Sequence, residues 1–326
     1  MRASQNTHEE SDAVIPSGPF AVAFEIISSC NLSCSYCYAK PFNGLSIPKR
    51  DLDYLFSKTK EEVDPFKVTI EGGEPFLRKD ISEILLTAKE YFGNVAVVTN
   101  GTLLEKLSEP VLCDLRKFAA GSPSIQVSLD ASEPSINDSV RGLCSRTLSG
   151  LNTLDQNDIP FAVGIVMTRI NVHHIVATIR FLVETYKNLR NIHLMNVMPS
   201  QSLGRQWSNL KVEANDSIDL SKHLKDILAS LSDRDLTISE PTAIACANEH
   251  TLLDRQKLIR CTAGFLRVTV LANGDIIPCE MTRSAIIGNL FESSWREIWR
   301  RSIESYFESD IEGGFCFSKN LPPAVI

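Results

Sequence analysis

Residues 28–38 read Ser28-Ser29-Cys30-Asn31-Leu32-Ser33-Cys34-Ser35-Tyr36-Cys37-Tyr38. Three residues separate the first two cysteines and two separate the next pair. A compact loop with this spacing can turn three thiolates toward one point. Structural zinc sites take four protein ligands, and iron–sulfur clusters are usually held by four Cys thiolates. Three ligands leave one coordination position open to something outside the loop. Two other readings stand beside this one: a structural zinc loop completed by a distant fourth ligand, and three cysteines that are neighbours by accident. The loop follows directly on residues 20–27, an apolar run rich in strand formers.

Outward from that loop, strand-like and helix-like stretches alternate. Helical spacing covers residues 49–63, and a short strand reading covers 67–71. Residues 80–92 place Ile81, Ile84, Leu85 and Ala88 on one helical face. The pattern continues with a strand over 94–99, a helix over 103–118 and a strand over 124–129. A helix over 145–156, a strand over 161–168, a helix over 172–186 and a strand over 191–197 complete it. This alternation predicts an α/β fold with a parallel sheet and crossover helices. Six units are too few to close an eight-stranded barrel, so the expectation is an open partial (β/α)6 barrel or a doubly wound sheet. Both bind ligands at the carboxyl ends of the strands. The polar and glycine-rich stretches 28–38, 72–75, 100–101 and 130–142 fall there.

Past the sixth strand the pattern changes. A polar irregular stretch covers 199–209 and a helix is predicted over 216–231. Residues 265–271 and 275–278 read as strands joined by Asn273-Gly274, a hairpin signal. Residues 294–307 read as a helix with Trp295, Ile298 and Trp299 on a common face. The expected organisation is a polar tail over 1–19, a core domain over 20–235 and a small separate module over 236–326.

Composition narrows the function classes. With 326 residues and 43% hydrophobic content the chain can bury a sizeable core. A net charge of −7 argues against a nucleic-acid partner, which needs clustered Lys and Arg. No run approaches the roughly 18 apolar residues of a membrane span. The first 18 residues are polar and acidic, with no secretory signal pattern. The expectation is a cytoplasmic protein with reduced thiols and no membrane partner. Nine cysteines in such a setting are not a disulfide framework. Beyond the three in the loop, Cys246, Cys261, Cys279 and Cys316 lie in the last quarter, and Cys113 and Cys144 are expected to be buried small residues.

The cysteine loop, with its aromatic Tyr36 just before the last cysteine, resembles the signature of the radical S-adenosylmethionine (radical SAM) enzymes. The resemblance extends over about residues 20–197. It also rests on Glu71-Gly72-Gly73-Glu74-Pro75, on Val98-Thr99-Asn100-Gly101-Thr102, and on Ser128-Leu129-Asp130 followed by Asp138 and Arg141-Gly142. These are ordered matches at successive strand ends. The resemblance implies that Cys30, Cys34 and Cys37 hold three irons of a 4Fe-4S cluster. The amine and carboxylate of S-adenosylmethionine would chelate the fourth. It further implies Tyr36 along the adenine, the Gly72–Glu74 backbone on the methionine ammonium, Asn100 and Asp130 in the cofactor-binding set, Ser128 on the ribose or carboxylate, and Arg141 on the carboxylate. The activity implied is reductive cleavage to a 5′-deoxyadenosyl radical that takes a hydrogen atom from substrate, in an enclosure that keeps out water.

Cys261-Thr262-Ala263-Gly264, Asn273-Gly274-Asp275, Ile277-Pro278-Cys279 and Gly288-Asn289-Leu290 resemble the auxiliary-cluster extension called SPASM. No Cys-x-x-Cys run follows Cys279, so the tail looks like the truncated version, twitch, which holds one cluster. Cys261, Cys279 and Cys316, with Cys246 as the fourth, are the implied ligands of a second 4Fe-4S cluster. A four-cysteine zinc module is the alternative. The branch implies a peptide- or protein-modifying oxidoreductase of maturase type that performs oxidation or crosslinking. It would be served by a reductant such as flavodoxin or ferredoxin. Only about twenty residues precede the first strand, so the expectation includes a separate peptide-recognition protein. Two other hypotheses are a small-molecule radical dehydrogenase or epimerase acting on a sugar or aminocyclitol, and a non-catalytic metal-binding scaffold. No catalytic residue is assigned. Glu280, Arg205 and the 199–209 stretch lie where a substrate would sit, and a solvated loop explains them equally well.

Overall fold

In β1, Ala21–Ile27, the side chains alternate as the pleat requires. Val22, Phe24 and Ile26 are fully buried on one face, while Ala21, Ala23 and Glu25 point to the other. The computed structural model of the chain describes residues 16–213, 215–216, 220, 223–224, 227, 235–239 and 262–308, with side chains to residue 304. The same alternation recurs in β2 (Lys67–Gly72) and β3 (Val95–Thr99); β4 (Ile125–Ser128) and β6 (Leu189–Asn196) follow it in part, and β5 (Phe161–Met167) is buried on nearly every side chain. Neighbours pair in parallel, in the order β1-β2-β3-β4-β5-β6. A doubly wound sheet reverses its order at a switch point. This one does not, so the architecture is the partial barrel.

The crossover helices are α1 (Lys49–Glu62), α2 (Ile81–Tyr91), α3 (Glu109–Phe118), α4 (Pro134–Val140), α5 (Cys144–Gln156) and α6 (Ile175–Thr185). They cover the face that carries Phe24, Ile70, Val97, Val127 and Val163, all fully buried. The opposite, concave face is lined by small and polar side chains. The stretch expected as one helix over 103–118 is a 3-10 turn, Leu104–Lys106, followed by α3. Pro110 enters α3 in its first turn, and the chain ahead of it is extended at Ser108. The stretch 172–186 likewise opens with a 3-10 turn, Val172–His174. Helix α4 and strand β7 (Thr237–Ser239) were not anticipated. The helix expected over 216–231 lies mostly outside the described residues.

The C-terminal strands differ from expectation in one respect: they do not form a sheet of their own. β8 (Arg267–Val270) pairs in parallel with β1, and β9 (Asp275–Ile277) and β10 (Gly288–Asn289) follow antiparallel. The ten strands form one open sheet, β10-β9-β8-β1-β2-β3-β4-β5-β6-β7. The unpaired edge of β1 offers a row of backbone groups, and β8 satisfies them. A short α7 (Trp207–Leu210) follows the 199–206 stretch, and α8 (Trp295–Glu308) closes the described chain. Trp295, Ile298 and Trp299 join the same core cluster as the barrel strands. The Trp295 indole N–H donates to Thr59 Oγ1 of α1 at 3.0 Å. Cys144 is buried as expected, but Cys113 is exposed. Leu112, Leu115 and Phe118 take the inner face of α3 and turn residue 113 outward. Among the described residues no helix is long and apolar enough to cross a membrane.

Candidate active site

The three-cysteine loop leaves the top of β1 and is held from several sides. The Lys40 ammonium donates to the Cys34 carbonyl at 2.8 Å, and the Ser35 N–H donates to the Val140 carbonyl at 2.8 Å. From the end of β3, Asn100 Nδ2 donates to Asn31 Oδ1 at 2.9 Å and lies 3.9 Å from Cys30 Sγ. Asn31 Nδ2 in turn donates to Thr102 Oγ1 at 2.8 Å. Burial pushes the Cys34 thiol up to about 11 and the Cys30 thiol upward. The Cys37 thiol adds to both shifts, and Cys30 adds to that of Cys34. Among the described residues no three His, Cys, Asp or Glu side chains converge as they would around one metal ion. A four-iron cluster sets its thiolates further apart, with iron and sulfide between them.

The strand end after β2 passes close beneath this loop. A Cβ on Gly73 would meet the Ser29 carbonyl oxygen at 2.0 Å, and one on Gly72 (φ 144°) the Ile27 carbonyl oxygen at 2.1 Å. Only glycine permits that approach. The Gly73 N–H donates to the Ile27 carbonyl at 2.8 Å, and the Glu74 N–H to the Ser29 carbonyl at 2.8 Å. The Glu74 side chain is fully buried. It accepts from Phe76 N–H at 2.9 Å, Thr99 Oγ1 at 2.7 Å and Asn100 N–H at 2.7 Å. Burial raises its pKa, and these donors work against the rise. Glu74 therefore braces the ends of β2 and β3 against each other.

A third group lies beyond β4. Tyr36 donates its hydroxyl to Asp130 Oδ2 and accepts from Arg141 Nη1. The Asp130 carboxylate is completely buried, accepts the Val166 N–H at 2.9 Å, and stands 3.6 Å from Arg141 Nη1. Burial raises the Asp130 pKa against the pull of Arg141. Burial also opposes the Arg141 charge, but Tyr36 and Asp130 outweigh it and hold the guanidinium ionised. Asn137 of α4 supplies its Oδ1 to the Asp130 N–H at 3.0 Å. Ser128 is buried at the end of β4 beside this set. Arg141 Nε is buried with no partner.

These features fit a nucleoside ligand that carries a carboxylate, beside a thiolate-bound cluster. The two glycines let the β2 strand end pack directly against the backbone of the cysteine loop, where a side chain would collide. The orphaned Arg141 Nε has a donor to offer. The thiols lie on one loop beside both. Cys30, Cys34, Cys37, Tyr36, Gly72, Gly73, Glu74, Asn100, Ser128, Asp130 and Arg141 all lie at one edge of the sheet. Cys279 is described and half-buried. Cys246, Cys261 and Cys316 lie outside the described residues.

The concave face carries a charged group that the sequence reading passed over, apart from Glu280. Glu25, nearly fully buried, pairs with Arg283 at 2.8 Å. Glu280, next to Cys279, accepts from Thr269 Oγ1 at 3.0 Å and pairs with Arg267 at 3.3 Å. Glu71 faces both pairs. Burial, then the charges of Glu280 and Glu25, push its carboxyl up to about 8. The Glu71 charge, followed by burial, pushes the Tyr38 hydroxyl upward. A charged residue inside the apolar run 20–27 was the available signal for Glu25. Its partner is 258 positions away in sequence, which no local pattern reveals.

Comparison with known proteins shows the family and the fold. The radical SAM superfamily model matches residues 24–182, and the iron-sulfur cluster-binding domain model, SPASM, matches 261–316. The chain belongs to the radical SAM superfamily, in the branch that carries a SPASM domain. It is an enzyme, and its cofactors are S-adenosylmethionine and 4Fe-4S clusters. It is 25% identical over 313 residues to the AdoMet-dependent heme synthase of Methanosarcina barkeri, covering 87% of this chain and 83% of that protein. It is 25% identical over 308 residues to the mycofactocin maturase MftC of Mycolicibacterium smegmatis, covering 87% and 71%. Its fold is similar to that of Streptococcus suis SuiB bound to precursor peptide SuiA, with a TM-score of 0.69 at 18% identity, and the match spans 87% of this chain and 65% of SuiB. It is also similar to anSMEcpe with bound AdoMet and a peptide, with a TM-score of 0.66 at 19% identity, covering 88% and 82%.

Proposed function

We propose that this enzyme oxidatively modifies or crosslinks a peptide. Cys30, Cys34 and Cys37 would hold the first cluster, and Cys279 with Cys261, Cys316 and Cys246 a single auxiliary one. When bound, the cluster and S-adenosylmethionine supply a carbon radical able to take a hydrogen atom from an unactivated C–H bond. The residues of this chain do the rest. The Gly72–Gly73 turn and Arg141 orient the ligand, Tyr36 and Asp130 hold Arg141 in place, and the barrel wall excludes water. The observation that carries the peptide reading is the mixed lumen of Glu71, the Glu25–Arg283 pair and the Glu280–Arg267 pair beside Cys279. It offers both donors and acceptors to a backbone amide. The similarities to a mycofactocin maturase and to two peptide-bound structures support it. A reductant of flavodoxin or ferredoxin type and a separate recognition protein are part of the proposal.

The heme synthase similarity over 87% of the chain supports a second reading, a small-molecule radical oxidoreductase. The test is anaerobic reconstitution, reduction, and incubation with S-adenosylmethionine plus either a short precursor peptide encoded beside this gene or small-molecule candidates from neighbouring pathways. The expected result is 5′-deoxyadenosine together with a peptide that has lost hydrogen, and no product from Cys34→Ala. Turnover of a small molecule with an inert peptide would overturn the peptide reading.

A further inference from the structure

The stretch between β6 and α7 ties together two loops that the sequence keeps far apart. Val197, Leu203 and Leu210 form a small apolar cluster separate from the main core, and Tyr36 of the cysteine loop packs against it beside Trp207. Trp207 Nε1 donates to the Val197 carbonyl at 3.2 Å, which closes the stretch on itself. On one side Ser202 Oγ donates to the Cys37 carbonyl at 2.8 Å. On the other, the Gln201 N–H donates to the Met281 carbonyl at 3.0 Å. The Gln201 side chain also makes two bonds to Ser284: Nε2 donates to Oγ at 2.7 Å, and Oε1 accepts the Ser284 N–H at 3.1 Å. Next to Ser284, Arg283 returns to Glu25 at 2.8 Å, on the strand that leads into the cysteine loop. The contacts form a closed circuit from β1 through Arg283, Ser284, Gln201, Ser202 and Cys37 back to β1.

We infer that residues 200–202 are a positioning strap that couples the three-cysteine loop to the loop following Cys279, with Gln201 and Ser202 as the positioning residues. The physical basis is that each loop alone is irregular backbone with little sheet pairing. Irregular segments open locally at low free energy unless tied down. A segment bonded to both makes the ordering of one favour the ordering of the other. Ligand binding at the cysteine loop then also tightens the segment that carries Cys279, Glu280 and Arg283. The inference rests on the site assignment above. It does not depend on whether the substrate is a peptide.

Gln201 and Ser202 are exposed, so substitutions there leave the fold intact. The test is hydrogen exchange by mass spectrometry on the anaerobically reconstituted protein, with and without S-adenosylmethionine. In the wild type, exchange is expected to slow both in residues 30–40 and in residues 279–287. In Gln201→Ala, which removes both side-chain bonds and keeps the backbone bond to Met281, the first response persists and the second is reduced. Opening of the 279–287 loop should rise about fivefold for each neutral hydrogen bond removed. Ser202→Ala should uncouple the loops in the same way, and Ser202→Thr, which keeps the hydroxyl, should restore the coupling. The change in the reduced cluster's EPR signal on adding S-adenosylmethionine should survive in all variants. An unchanged 279–287 response in Gln201→Ala, or none in the wild type, overturns the inference. Loss of both responses in the variant would mark a general structural role and overturn it too. Absence of any response at 30–40 in the wild type would overturn the site assignment and the inference with it.

Discussion

Glu71 lies on β2 just before the glycine turn and faces Glu25, Glu280, Arg267, Arg283 and Tyr38. Its carboxyl sits near 8 in the fold, above its ordinary value of 4.5, because burial and two like charges disfavour ionisation. A raised carboxyl pKa makes the folded state favour the neutral form. Its stabilising effect is complete below about pH 4.5 and is lost as pH rises through about 8. Glu71→Gln, neutral at all pH, is expected to lie close to the wild type at pH 5 and to be more stable at pH 9 by roughly 4 kcal/mol. Calorimetry at the two pH values checks this. A variant less stable than the wild type at pH 9 would contradict it. In sequence, Glu71 was visible only as part of a glycine motif, because the groups that perturb it come from β1, β8 and the loop after β9.

At the scale of an element, the strand-end turn 72–75 and the cysteine loop act as one unit. A Cβ at Gly73 would stand 2.0 Å from the Ser29 carbonyl oxygen, and that obstacle is backbone, which cannot rotate away. Gly73→Ala is therefore expected to displace the loop. It should cost about 1–3 kcal/mol of stability and lower the iron retained at the first cluster. Iron assay beside a melting curve reads both. Full iron retention would mean that the loop adapts. The cysteine spacing and the two glycines were legible in the sequence because each is a local pattern with one physical meaning. The bracing roles of Glu74, Asn100 and Asn137 were not, since their partners lie 25, 69 and 7 residues away. The short helix α4 was missed for a related reason. Its seven residues bury only Asn137 and Val140, too few for a helical period to emerge.

Across the whole molecule, the C-terminal segment is built into the barrel. β8 completes the edge of β1, and α8 docks on α1 through Trp295, which is fully buried and bonded to Thr59. Trp295→Ala removes that packing and leaves the Thr59 hydroxyl without this donor. It is expected to cost about 3–5 kcal/mol. The loss should appear as a lower midpoint of a single unfolding transition, because one core cluster holds both parts. Two separated transitions in calorimetry would show instead that the parts unfold independently.

The amino-acid order alone carried the βα alternation, the three-cysteine loop, the glycine strand end and the family they point to. Those signals are local. Hydrophobic periodicity reports on a dozen residues, and a ligand loop declares its spacing within eight. The tertiary structure was needed for the sequential order of the sheet, the pairing of β8 with β1, and the lumen where Glu25 meets Arg283. Each joins groups distant in the chain, and a contact between them depends on the path of the backbone in three dimensions.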